Sequence, residues 1–200
     1  KGGLHVSAVQ KNPKTYEHIE PEEVGNTRNI VVSDQAGKSN IISRLKSINV
    51  IVKENDPKIK KLLDEVKDRE FIGYSYDGAD ASFELLARRI MGEIPRYLSI
   101  TEYDVSVTKD SKGNIISSAK AHLEVDGEKI ICKGEGNGPV NALDNAIRQN
   151  VDKLAKYSKY LKDLKLVDYK VRILNTGTEA VTRVSIESTD SKGINWFTIG

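Results

Sequence analysis

The 200-residue chain has one cysteine, one methionine, one tryptophan and three phenylalanines. A lone Cys132 excludes an internal disulfide. Beside Ile130 and Ile131 it reads as a buried, inert thiol in a strand, which suits a reducing, cytoplasmic setting. No apolar run approaches the length that spans a bilayer, and no signal-peptide pattern opens the chain. An excess of either charge is missing too: 31 basic against 29 acidic residues leave +2 at pH 7. That balance gives no basic surface of the kind nucleic acid selects. The densest basic run, Lys58-Ile59-Lys60-Lys61, reads as the solvated face of a helix. The only methionine, Met91, is internal and the chain opens on Lys1-Gly2-Gly3, which reads as a piece of a longer protein.

What is present centres on Gly134-Glu135-Gly136-Asn137-Gly138-Pro139-Val140-Asn141-Ala142-Leu143. Pro139 suits the first position of a helix and makes Gly138 its N-cap. Val140, Leu143, Ile147, Val151 and Leu154 then fall three or four apart, as one apolar stripe. The alternating glycines allow a sharp strand-to-helix turn and close approach of whatever sits at the helix start. Two readings stand side by side: a tight connection with no ligand, or a seat where free N–H groups meet a carboxylate. A dinucleotide fingerprint is excluded, because its third glycine would fall at Pro139 or Asn141. Gly37-Lys38-Ser39 likewise fails as a phosphate loop, which needs glycine where Val32 stands.

From Leu4 to Val32 the chain reads as irregular structure with short helical turns, with a break at Lys11-Asn12-Pro13 and a single helical turn, Pro21-Glu22-Glu23-Val24, closed by Gly25. His5, Tyr16 and His18 form its one group suited to acid/base chemistry. Helices follow over about 39–47, from Pro57 under an Asp56 cap, and from an Asp77 cap to Gly92, with Asp80 in the first turn. Ile59, Leu62, Leu63 and Val66 form the buried stripe of the second. Ala79, Phe83, Leu86, Ala87 and Ile90 form that of the third.

After Pro95 the period changes to two. Strands run over 98–108, from Ile115 to Val125, and over 129–133, with Asp126-Gly127 as a two-residue hairpin turn. His122 falls with the polar set, exposed rather than a ligand. The order then begins again: Leu166–Leu174, with Val167, Tyr169, Val171 and Ile173 on one face, then Val181–Ser188, the turn Asp190-Ser191-Lys192-Gly193, and Ile194–Ile199. This is βββα followed by βββ, an internal repeat whose last helix is absent. The fold class is α+β: a linker subdomain (1–32), a helical subdomain (33–94) and an antiparallel sheet layer covered by helices (95–200). With the second helix absent, part of the sheet's apolar face stands bare unless a partner chain covers it.

Gly2-Gly3-Leu4-His5-Val6-Ser7-Ala8-Val9, Thr15-Tyr16-Glu17-His18-Ile19 and Pro21-Glu22-Glu23-Val24-Gly25-Asn26 resemble the segment after the catalytic barrel of citramalate synthases. The resemblance continues in Val32-Ser33-Asp34-Gln35-Ala36-Gly37-Lys38-Ser39-Asn40-Ile41, in Gly136–Leu143 and in Leu166-Val167-Asp168-Tyr169-Lys170-Val171-Arg172-Ile173-Leu174. The sister family, 2-isopropylmalate synthase, usually has His-Gln-Asp-Gly where this chain has His5-Val6-Ser7-Ala8. It also carries a second histidine where this chain has Asp34-Gln35-Ala36.

The resemblance implies a parent acyltransferase that condenses acetyl-CoA with pyruvate, its divalent metal and substrate pocket lying in a barrel that this chain lacks. It implies that the linker is a lid over a barrel, with His5 and Tyr16 at the catalytic centre, and that the chain alone has no turnover. It implies, finally, a homodimeric regulatory domain that binds isoleucine (or leucine, on the sister branch) at Gly136, Asn137, Gly138, Pro139, Val140 and Ala142. No cofactor, metal, nucleic acid or membrane is implied for this part. A third reading, from another class, is a non-catalytic small-molecule-binding dimerisation module, against which the helical subdomain and the linker with His5 and Tyr16 argue.

Overall fold

The computed structural model describes residues 2–26, 36–150 and 157–200. Val151 and Leu154 of the predicted stripe, and Val32 to Gln35 of the second motif, lie outside them. Two compact units result: Lys1–Ile94 with Leu166–Thr189 and Ile194–Gly200, and Pro95–Lys165 with Asp190–Gly193.

The first unit opens with α1 (Gly2–Lys11), a continuous helix where the sequence reads as irregular structure with short helical turns. Two glycines and two valines give it weak intrinsic propensity. Contact with α2 (Lys38–Ser47) supplies what propensity does not. Asn12 then caps a 3-10 turn, Pro13–Thr15, and a second, Pro21–Val24, closes on Gly25 as predicted. In α3 (Pro57–Phe71) the Asp56 carboxylate accepts from Lys58 N at 2.8 Å, and Ile59, Leu62 and Val66 are buried. The last helix, α4, spans Asp80–Met91 and starts later than predicted. Gly78 turns the chain at φ 74°, Ala79 N donates to Tyr76 O, and Ala79 rather than Asp77 holds the N-cap.

Phe83, Ile41, Leu45, Ile59, Leu62 and Val66 build this unit's core. On its surface Arg88 ties Glu84, Glu93 and the Ile48 carbonyl together. Arg44 pairs with Asp80. The unit also carries the antiparallel sheet β4 (Lys165–Ile173), β5 (Thr182–Thr189) and β6 (Asn195–Ile199), in that order. β6 leans on α4, where Ile199 N donates to Ser82 Oγ at 2.9 Å. β4 is exposed along almost its whole length.

The second unit contains the sheet β1 (Leu98–Lys109), β2 (Ile115–Val125) and β3 (Glu128–Gly136), also antiparallel and in chain order. Asp126 and Gly127, both at positive φ, make the predicted two-residue hairpin. Ala119, Ala121, Leu123 and Val125 alternate inward and, with Cys132, meet α5 (Pro139–Gln149). A short α6 (Ser158–Asp163) follows, and Arg148 of α5 holds its end through the Leu164 carbonyl at 2.9 Å. The strands thus fall into two sheets of three rather than one continuous layer, within the α+β class read from the pattern. Among the described residues no helix is long and apolar enough to cross a membrane.

Candidate functional site

The glycine-rich stretch does something different from what its spacing suggests. Gly134 and Gly136 are strand residues of β3, paired with Ala119 and Ser117, and neither has a positive φ. Their lack of a side chain serves packing. A Cβ on Gly134 would stand 2.4 Å from Ala146 N, and one on Gly136 2.4 Å from Asn141 Oδ1 and 2.6 Å from Ala142 N. Helix α5 therefore lies directly on the strand backbone. At that separation the residues that fit beneath it are alanines: Ala142 and Ala146 are fully buried, while Leu143 and Ile147 flank them and Val140 is 55% exposed. The apolar stripe predicted from spacing is rotated off the deepest line of contact for this reason.

The start of α5 is as predicted, with Gly138 at the N-cap and Pro139 at the first position. Two side chains fix it to the strand. Asn141 Oδ1 accepts from Asn137 N at 3.1 Å, and Asn145 Nδ2 donates to Glu135 O at 2.8 Å. Asn137, Pro139 and Val140 face solvent, Gly136 and Gly138 are half-buried, and Ala142 faces the sheet. The six predicted effector residues thus share one short segment but divide between its open side and its packed side. None of the six lines this unit's open depression of about 490 Å³, whose wall includes Gly134 and Glu135 along with Asp104, Lys120 and Lys133.

Sequence reasoning missed Ser117. Its hydroxyl is fully buried and has no hydrogen-bond partner among the described residues. Such a group costs about 1–3 kcal/mol unless something satisfies it. The signal was available: Ser117 is in phase with Ala119, Ala121 and Leu123, so period two alone places a polar side chain on the covered face.

The other predicted site lies at the N-terminus. The 3-10 turn after α1 folds back, fastened by Thr15 Oγ1 donating to Asn12 O at 2.8 Å. That brings the Tyr16 ring edge-on to His5, 4.9 Å between centroids. Both are exposed, as is His18. His122 is half-buried beside Glu102, its Nδ1 3.4 Å from the carboxylate. Among the described residues no group of three His, Cys, Asp or Glu side chains converges as a metal seat.

A smaller cavity of about 150 Å³ in the first unit is charged, with Asp77, Asp168, Lys170, Arg183 and Glu187 on its wall. A hydrogen bond from Lys170, 2.5 Å away, holds the Asp168 carboxyl below its usual range. Burial pushes the Tyr76 phenol up, against the opposing Arg69 cation.

An α+β chain with this turn at the head of a helix matches two family models. Residues 77–200 fit the model described as the LeuA allosteric (dimerisation) domain, and residues 1–71 the one described as homocitrate synthase post-HMGL domain-like. The chain belongs to the LeuA allosteric (dimerisation) domain family. It is similar along its whole length to proteins named (R)-citramalate synthase: 45% identical over 203 residues to that of Aquifex aeolicus, covering 100% of this chain and 38% of the relative. With the Geobacter sulfurreducens protein it shares 43% over 205 residues, at 100% and 38% coverage. The Methanocaldococcus jannaschii protein is 29% identical over 187 residues, covering 94% and 36%. The chain thus spans under two fifths of the length of the curated relatives it matches.

Proposed function

We propose that this chain is the lid and feedback-regulatory part of an (R)-citramalate synthase, an acyltransferase that condenses acetyl-CoA with pyruvate toward isoleucine. The observation that carries the reading is the similarity of the whole of this chain to a part of proteins of that name, with an allosteric (dimerisation) domain over residues 77–200. The regulatory part works as a homodimer in the cytoplasm. The effector is isoleucine, held at Gly136, Asn137, Gly138, Pro139, Val140 and Ala142. The start of α5 suits it: helix N–H groups attract a carboxylate, and exposed Val140 offers an aliphatic surface.

The His5–Tyr16 pair supplies the catalytic contribution of this part. An acetyl methyl proton is weakly acidic, so a positioned base and a donor to the enolate oxygen both lower the barrier. An imidazole and a phenol in ring contact can fill those two roles when the lid meets a barrel. The barrel supplies the substrates' pocket and any divalent metal, and this chain alone turns nothing over. Effector binding acts by restraining the linker that carries the pair, a coupling of the two sites.

Calorimetric titration of the chain with isoleucine and, separately, leucine tests the reading. Heat with isoleucine alone is expected. Heat with leucine alone moves the chain to the 2-isopropylmalate branch, and condensation of acetyl-CoA with pyruvate by the isolated chain would contradict the lid assignment.

A further inference from the structure

We propose that the Ser117 hydroxyl is the buried polar anchor of the effector site, donating a hydrogen bond to the carboxylate of a small aliphatic amino acid. This rests on the effector reading above and adds a residue to it.

Ser117 stands directly opposite Gly136 in the β2–β3 ladder. Side chains of such a pair leave the same face, roughly 5 Å apart. On that face Gly136 contributes nothing, and the first turn of α5 fills its place: Asn141 Oδ1 and Ala142 N are the atoms a Cβ there would strike. The serine side chain therefore leaves the sheet on the face that the head of the helix covers, fully buried and without a partner among the described residues. Helix geometry leaves the N–H groups of Val140 and Asn141 without intrahelical acceptors, at the positive end of the helix dipole. The helix and the strand thus each bring donors to this end of the β2–β3 face, and a carboxylate is the ligand group that accepts from both.

The acceptor now present is the Asn141 side-chain oxygen, 3.1 Å from Asn137 N. It is a carbonyl oxygen in the place of a carboxylate oxygen. Rotation of Asn141 opens that place. The incoming carboxylate then takes the Asn137 N–H and gives Ser117 an acceptor, while the aliphatic tail lies toward Val140.

The test compares the 200-residue chain with its Ser117→Ala variant, by thermal unfolding without ligand and by calorimetric titration with isoleucine and with leucine. Removing an unsatisfied hydroxyl leaves the unfolding temperature equal or higher. Losing a hydrogen bond to a charged group weakens binding at least about ten-fold. Equal affinity in the two proteins overturns the assignment of Ser117 and leaves the effector reading standing. An unfolding temperature lowered by several degrees also overturns it, because the hydroxyl would then be bonded within the fold. If the wild-type chain takes up neither amino acid, the effector reading fails and the Ser117 assignment falls with it.

Discussion

The two three-stranded sheets share strand order and antiparallel pairing, yet one is a core and the other is a surface. In β1–β3 the inward residues Ala119, Ala121, Leu123 and Val125 are at most 5% exposed beneath α5. In β4 the corresponding alternation, Val167, Tyr169, Val171 and Ile173, is 38–66% exposed. The difference lies in the cover. Two glycines in β3 let a helix lie on the backbone of the first sheet, whereas the second is supported at β6 by α4 and left open along β4. Exposed apolar strand residues in such a row mark an interaction surface, and the family that residues 77–200 match is described as an allosteric (dimerisation) domain.

The contrast can be broken most severely at Gly134. Gly134→Val places a side chain into the backbone of Ala146, which no rotamer change relieves, and is expected to cost about 3 kcal/mol or to prevent folding. Urea denaturation with α5 fluorescence-labelled reads the loss. A medium effect separates the sheets: Leu123→Ala in the buried face is expected to cost about 3 kcal/mol. Val171→Ala in β4 should cost under about 0.5 kcal/mol in the monomer, and shows instead as weaker self-association.

The smallest effect is on pH. Burial raises the Tyr76 phenol above 10.0 in the folded chain. A raised folded value gives stability that is complete below the unfolded value and lost as pH rises through the folded one. Denaturation midpoints should therefore decline in the alkaline range above pH 10, and Tyr76→Phe should flatten that decline. An unchanged decline in the variant would assign it to other groups.

Local signals carried much of this architecture. Asp56-Pro57, Asp126-Gly127 and Gly138-Pro139 each marked an element boundary correctly, because each is set by backbone chemistry within a few residues. What was illegible depended on neighbours distant in sequence. α1 forms against α2 despite its glycines. Gly134 and Gly136 read as turn residues because their function, close helix approach, shows only once α5 is laid on β3. For the same reason Leu143 and Ile147 of the predicted α5 stripe pack beside the deepest line of contact, which Ala142 and Ala146 take, and Val140 stands exposed. Of the candidate site residues, the ring contact of His5 and Tyr16 follows from a fold-back over the Pro13–Thr15 turn that spacing does not reveal. Ser117 could have been found by asking which polar residue shares phase with the buried alanines.

Sedimentation velocity of the unmodified chain, beside a Val171→Asp variant, tests the central claim most directly. If a second copy covers β4, the chain sediments at twice its 22.2 kDa mass and the variant as a folded monomer. A wild-type chain that stays monomeric at tens of micromolar, or a variant that dimerises equally well, would contradict the account.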